Sequence, residues 1–244
     1  MDAVGDLLAR DRRSDRPALA IGDRERSYHE LITNAYKAGN VLRFHGVTEG
    51  RTVAVAPVPD LPPVLAFLGA AQLGAATRFD PDAGADAGDR LLLVPGAEQA
   101  AYDPAPGTKL AVFGDDAAAP DTIDWEQSVW SENPAFPPTS VAPETPLLAD
   151  GDRTVSHADA LAAASEVADL RGLDADSRVV LRSSLAEPGA VVAGLLAPLL
   201  VGGCAVLAAP GEAANGARGD LAVANDGAPE PARIDPEDVP LSVD

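Results

Sequence analysis

The spacing of apolar positions divides the chain into a phrase that is written twice. In the first copy Pro17–Ile21 reads as a short strand, Gly22 and Asp23 as a turn, and Arg24–Ser27 as a return strand. Ser27 with Glu30 three residues on spells a capping box. Leu31, Ala35, Ala38, Val41 and Leu42 then recur at helical spacing and give the next segment an apolar face. "TVAVAPV" predicts a buried strand, "LPPVLAFLGAAQLG" a second helix and "AATRF" a second strand. Alternating strand, helix and strand predict a βαβ unit with a parallel sheet.

The second copy keeps the order. "PLLA" predicts a strand, Asp150-Gly151 a turn, "RTVS" the return strand, and Ser156 with Asp159 a second capping box. "ADALAAASEVADLRG" follows as a helix, "SRVVLRSS" as a strand, "EPGAVVAGLLAPLLVGG" as a helix and "CAVLAAP" as a strand. The offset between copies stays nearly constant from Gly22/Gly151 through Arg51/Arg178 to Gly74/Gly202, so the whole unit is repeated. Two copies predict two similar α/β lobes, or one sheet built from two halves. Residues 191–201 are almost wholly apolar and must be buried, in the core or in an interface.

Between the copies, "RLLLVPG" and "KLAVFG" predict two more strands and "TIDWEQSVW" a short helix, in which Trp125 or Trp130 anchors to the core. "SENPAFPPTSVAPETP" is a proline-rich separator. After it the pattern supports a first lobe over 1–135, a second lobe over 136–212 that repeats 20–81, and an acidic Pro/Gly-rich tail over 213–244. Within that tail "LAVA" predicts one short strand, and the remainder reads as poorly ordered.

Composition narrows the function classes. Hydrophobic residues make up 46% of the 244, enough for a sizeable core, but aromatics are only 4%, which leaves Ala, Val and Leu to build it. No apolar run approaches a membrane span, and "MDAVGDLLARDRR" lacks the apolar centre of a signal peptide, so a cytoplasmic protein is expected. Thirty-eight acidic residues against eighteen basic ones give a net charge of -20, a field that repels nucleic acid and anionic membranes. The acids are dispersed and the only lysines are Lys37 and Lys109, a pattern suited to solubility in a salt-rich, halophilic cytoplasm.

Few residues offer chemistry. Cys204 is the lone cysteine, with nothing basic beside it in the sequence, and reads as a small buried apolar residue. His29, His45 and His157 are dispersed without ligand spacing; His29 and His157 fall at the two helix starts, where a structural role is expected. Ser156 and His157, as neighbours, cannot face each other as nucleophile and base. No G-x-S-x-G elbow and no G-x-G-x-x-G after a strand is present. Arg218-Gly219-Asp220 reads as a turn. No catalytic residue and no metal ligand is assigned.

The stretch "DRPALAIGDRERSYHELITNAYKAGNVLRFHGVTEGRTVAVAPVPDLPPVLAFLGAAQLGAATRFDP", followed by "ETPLLA", "SHADALAAA" and "VVLRSSLAEPGAVVAGLLAPLLVGGCAVL", resembles the opening of the AMP-binding, adenylate-forming enzymes, which include acyl-CoA synthetases, acetyl-CoA synthetase and luciferase. The resemblance runs from Val4 to about residue 210. It implies a large domain of two similar α/β lobes, with ATP or AMP and Mg as the family's cofactors and an acyl or nucleotide ligand. In that family the stretch after "PLL" carries a loop of the form T-S-G-T-T-G-x-P-K-G, then T-H. Its glycines bring backbone N–H groups onto ATP phosphates, its hydroxyls donate to them and its lysine neutralises charge. Here the chain runs from Leu148 through "ADGDRTV" to Ser156-His157, and Gly151, Arg153 and Thr154 are the remaining phosphate-type groups. A hairpin turn is expected in place of the loop, with Asp150 and Asp152 repelling phosphate. The resemblance implies a truncated, catalytically degenerate homologue of AMP-dependent acyl-CoA synthetases that acts as a binding or regulatory module. Two alternatives stand beside it. One is an acyl-CoA or acetyl-CoA synthetase component that needs a protein partner to supply the loop and a C-terminal domain. The other is a structural or interaction protein, for which a homo-oligomer is one form.

Overall fold

The structure, a computed structural model, describes residues 1–83, 88–137, 139–151, 153–208 and 217–242. After a 3-10 turn at Val4–Leu8 come β1 (Pro17–Ile21), β2 (Arg24–Ser27), α1 (Tyr28–Phe44), β3 (Thr52–Val55), α2 (Leu61–Gln72) and β4 (Ala76–Arg78). The middle of the chain forms β5 (Asp89–Pro95), β6 (Lys109–Phe113), β7 (Ile123–Asp124) and α3 (Trp125–Ser131). The second repeat forms β8 (Pro146–Asp150), β9 (Arg153–Ser156), α4 (His157–Arg171) and β10 (Arg178–Leu181). A continuous helical run follows: α5 (Pro188–Val191), a π-helical turn (Val192–Leu196) and α6 (Ala197–Val201). β11 (Cys204–Leu207), β12 (Leu221–Val223) and β13 (Ala232–Ile234) complete the chain.

Both predicted caps form, with different chemistry. Glu30 is long enough to reach back, so Ser27 Oγ accepts from the Glu30 N–H at 3.2 Å while Glu30 Oε2 accepts from the Ser27 N–H at 2.9 Å. Asp159 is one methylene shorter. Ser156 Oγ still accepts from the Asp159 N–H at 3.1 Å, but the Asp159 carboxylate takes the serine hydroxyl instead of its amide.

The strands form two mostly parallel sheets flanked by helices, ordered β13-β12-β10-β11-β1-β2 and β7-β6-β5-β3-β4-β8-β9. The α/β class with two similar halves therefore holds, with one rearrangement. Each repeat's hairpin pairs in the other repeat's sheet. β1 lies parallel to β11, with Leu19 opposite Ala205, and β8 lies parallel to β4, with Thr77 opposite Leu148. The two hairpins supply the antiparallel pairs, β1 with β2 and β8 with β9.

Val, Leu and Ala fill the core. β10 and β11 are buried on both faces, as befits strands inside a covered parallel sheet. α1 and α2 pack at very close range because Gly69 has no side chain: a Cβ there would lie 2.9 Å from the Gly39 nitrogen. Residues 191–199 are buried within the core. Trp125 is buried and anchors α3, whereas Trp130 is 84% exposed. Cys204 is buried, and burial pushes its thiol pKa up. No helix among the described residues is long and apolar enough to cross a membrane.

The C-terminal tail holds the expected strand at Leu221–Val223 and a second one, β13, in the stretch expected to be poorly ordered. β12 pairs with β10, placing Leu221 opposite Val179, and β13 pairs with β12, placing Ala232 opposite Leu221. Leu221, Ala222, Val223, Ile234 and Val239 are buried. β12 forms where "LAVA" predicts a strand; "ARI" of β13 has no strand pattern of its own, and the edge of β12 supplies the pairing that makes it one. The expected loop at 209–216 lies outside the described residues.

Candidate functional site

In the six-stranded sheet the chain leaves β10 through α5 and α6 to β11 on one side, then returns to β12 on the other. Such a switch point opens a crevice at the C-terminal ends of the diverging strands, where open α/β sheets bind ligands. The residues just past those ends are polar. Arg182 and Ser183 follow β10, and both of their N–H groups donate to the Val223 carbonyl at the end of β12, at 2.9 and 3.1 Å. The Ser183 hydroxyl donates to Asn225 Oδ1 at 2.7 Å, and Asn225 Nδ2 donates to Glu187 Oε2 at 2.8 Å. Beside this relay Arg182 forms a two-pronged pair with Glu230, Nε to Oε2 at 2.9 Å and Nη2 to Oε1 at 2.5 Å, both side chains buried. The seven-stranded sheet has an equivalent switch between β3 and β5, but the strand ends there run into Ala56, Pro57 and Val58 and into Gly96. A Cβ on Gly96 would lie 2.7 Å from Asp115 Cβ, so that point is closed by packing.

Glu187 carries the relay into a groove of about 410 Å³ where the two halves meet. Leu148, Asp150, Arg153 and Val155 of the exchanged hairpin form one wall, residues 186–189 at the start of α5 the second, and Pro236, Glu237, Val239 and Leu241 the third. The second and third walls touch through backbone: a Cβ at Gly189 would run into the Pro236 carbonyl. Three carboxylates and one guanidinium line the groove, and among the described residues no salt bridge engages any of the four.

The three residues singled out in the sequence fall in different places. Gly151 makes the turn with φ +59°, and a Cβ there would meet nothing within 4 Å. Arg153 reaches the groove. Thr154, opposite Ala149, alternates onto the other face of β9 and does not line it. Asp152 lies outside the described residues. Ser156 is occupied as a cap. His157 is sealed from solvent, and its Nδ1 accepts from the Val4 N–H at 3.1 Å, so its proton sits on Nε2. Nε2 has no hydrogen-bond partner among the described residues, and burial lowers the His157 pKa to about 4, with Asp6 opposing the shift. His157 is thus a neutral joint between the N-terminal segment and α4. His29, by contrast, is exposed; the true counterpart of His157 in the first repeat is Tyr28. Among the described residues no group of three or more His, Cys, Asp or Glu side chains could hold a metal ion.

Ser183, Glu187 and Asn225 were not singled out from sequence. The available signals were "RSS" after the strand "RVVL" and "ND" after "LAVA", polar residues at the ends of adjacent parallel strands.

No protein-family model and no curated protein sequence matches the chain. Solved structures do. The anthranilate CoA ligase AuaEII in complex with anthranoyl-AMP superposes with a TM-score of 0.73 at 20% identity, covering 86% of this chain and 45% of that one. Apo MatB from Rhodopseudomonas palustris gives 0.71 at 14% identity, covering 84% and 44%. The Klebsiella oxytoca NpsA N-terminal subdomain in complex with 3-hydroxybenzoyl-AMSN gives 0.67 at 17% identity, covering 86% and 55%. The chain spans about half the length of the structures it matches. At these identities the likeness is one of fold: the chain has the α/β fold of the N-terminal subdomain of adenylate-forming proteins.

Proposed function

We propose that this chain is a binding or regulatory module built on the adenylate-forming fold, one that does not itself activate acids with ATP. The carrying observation is the β8–β9 turn. A phosphate cradle needs several successive free N–H groups together with hydroxyls and a cation. Here Asp150 and Arg153 already face each other in the antiparallel ladder, and Gly151 makes the turn that follows Asp150. Among the described residues Arg153 is the one cation lining the groove, set against Asp150, Glu187 and Glu237. These residues do not fit a triphosphate with its Mg, so no chemical step is derived through one. The test is calorimetry of Mg-ATP, AMP and a nonhydrolysable acyl-adenylate in concentrated KCl, which screens the chain's self-repulsion, alongside an acyl-CoA formation assay. No acyl-CoA formation is expected. ATP-dependent formation by the pure chain overturns the proposal. Micromolar nucleotide binding, about -8 kcal/mol, would mark a surviving nucleotide crevice.

A second reading is a component completed by a protein partner. One structure of similar fold is an artificially fused adenylation–PCP di-domain from Klebsiella oxytoca. A pull-down in concentrated KCl that recovers a partner and, with it, acyl-CoA synthesis would favour this reading.

A further inference from the structure

We infer that the groove selects a small amphipathic cation, an ammonium group on an apolar body, as the ligand of the module; this rests on the binding-module reading above. Three features of the groove converge on that chemistry. Its volume, about 410 Å³, falls within the range that holds small molecules. Its hairpin and C-terminal walls are floored by the buried Leu148, Val155 and Val239 and flanked by the half-buried Leu241, an apolar side for an apolar body. Its polar end is an organised carboxylate. The buried Ser183 hydroxyl holds Asn225 Oδ1, which fixes the amide so that Nδ2 donates to Glu187 Oε2. Among the described residues no hydrogen bond engages Glu187 Oε1, so a donor in the groove finds an acceptor already positioned by a second layer of contacts.

Charge sets the sign of the ligand. With Asp150 and Glu237 also on the rim and Arg153 the single cation among the described lining residues, that lining carries an excess of two negative charges. An anionic ligand would meet that excess at the protein surface, where the Coulomb cost still exceeds its value in bulk water. An ammonium group meets charge-assisted acceptors instead.

The experiment is calorimetric titration of the full chain with n-hexylammonium, n-hexanol and hexanoate at one fixed KCl concentration. Saturable hexylammonium binding is expected, with hexanoate not binding and hexanol weaker by about tenfold or more. Glu187→Gln keeps the shape and the Asn225 contact but removes the charge, and is expected to weaken hexylammonium by about tenfold. Glu237→Gln, on an exposed rim position, serves as the second variant if Glu187→Gln does not fold, with a smaller loss in the same direction. The inference is overturned if hexylammonium does not bind, if hexanoate binds as well, or if neither variant changes the affinity. None of the probes contains phosphate or thiol. Acyl-CoA formation would therefore sink the module reading without touching this result, and loss of ammonium selectivity would sink this inference alone.

Discussion

Tyr28 and His157 stand at the same position of the two repeats, each directly after the serine that caps its helix, and each side chain reaches into the opposite end of the chain. The Tyr28 hydroxyl donates to the Gly203 carbonyl at 2.8 Å, and His157 Nδ1 accepts from the Val4 N–H at 3.1 Å. Both are buried. Burial raises the Tyr28 pKa far above its ordinary value and lowers that of His157, so each group is held neutral.

Tyr28→Phe removes one hydroxyl and leaves the Gly203 carbonyl without that donor. An unsatisfied buried acceptor costs about 1–3 kcal/mol, so guanidinium unfolding should show a loss in that range with an unchanged m-value. A loss below a few tenths of a kcal/mol would mean that water takes the hydroxyl's place.

His157 makes the protein acid-sensitive in a defined window. Its folded pKa, about 4, lies below the ordinary 6.5, so between those values the unfolded chain holds a proton that the folded chain does not. Stability is unaffected by this residue above pH 6.5 and falls as pH drops toward 4, by at most roughly 3 kcal/mol. Carboxylates also titrate near the lower end, so the measurement is a difference. His157→Gln, whose carbonyl can accept from Val4, should flatten the stability curve between pH 6.5 and 5 relative to the parent. Parallel curves for the two proteins would refute the assignment.

The local structure was largely legible in the sequence. Capping serines, turn glycines and helical spacing act over a few residues, and β1, β2, α1, β8, β9 and α4 form where those signals put them. Sheet membership was not legible. Nothing within Pro17–Ile21 says that its neighbour is Cys204–Leu207 rather than Thr52–Val55, because all three are short apolar strands that suit any parallel edge. The candidate site was half legible for the same reason. Arg153 was found from the phrase it interrupts, while Ser183, Glu187 and Asn225 become a unit only when β10 and β12 pair.

The exchanged hairpins should make the halves interdependent. Residues 1–135 expressed alone lack the β8–β9 hairpin of their sheet, and residues 136–244 lack β1 and β2. Each half should be poorly folded by near-ultraviolet circular dichroism and amide-proton dispersion, and mixing the two should restore both signals. Two independently folded halves would contradict the pairing of β1 with β11 and β4 with β8.

Gly189→Ala probes the contact that closes the groove. The new methyl would meet the Pro236 carbonyl and lie 2.9 Å from its carbon, so backbone has to move. Overpacking of this kind costs about 1–3 kcal/mol. The displacement should appear as faster hydrogen exchange over residues 236–241, with β10 and β11 unchanged. Undisturbed exchange there would show that α5 shifts instead of the tail.

The strand exchange also imposes a timetable on synthesis. The hairpin of β1 and β2 leaves the ribosome well before its partner β11, which follows only after residues 28–203 are made. At about 5–20 residues per second, the early hairpin waits on the order of ten seconds or more. The other sheet needs nothing beyond residue 156 and is free to close during that wait. The nascent chain therefore carries an unclaimed pair of strands beside a finished sheet. The charged residues Arg24, Glu25 and Arg26 guard the hairpin's outer edge, while the apolar edge of β1 that β11 claims stays open during the wait.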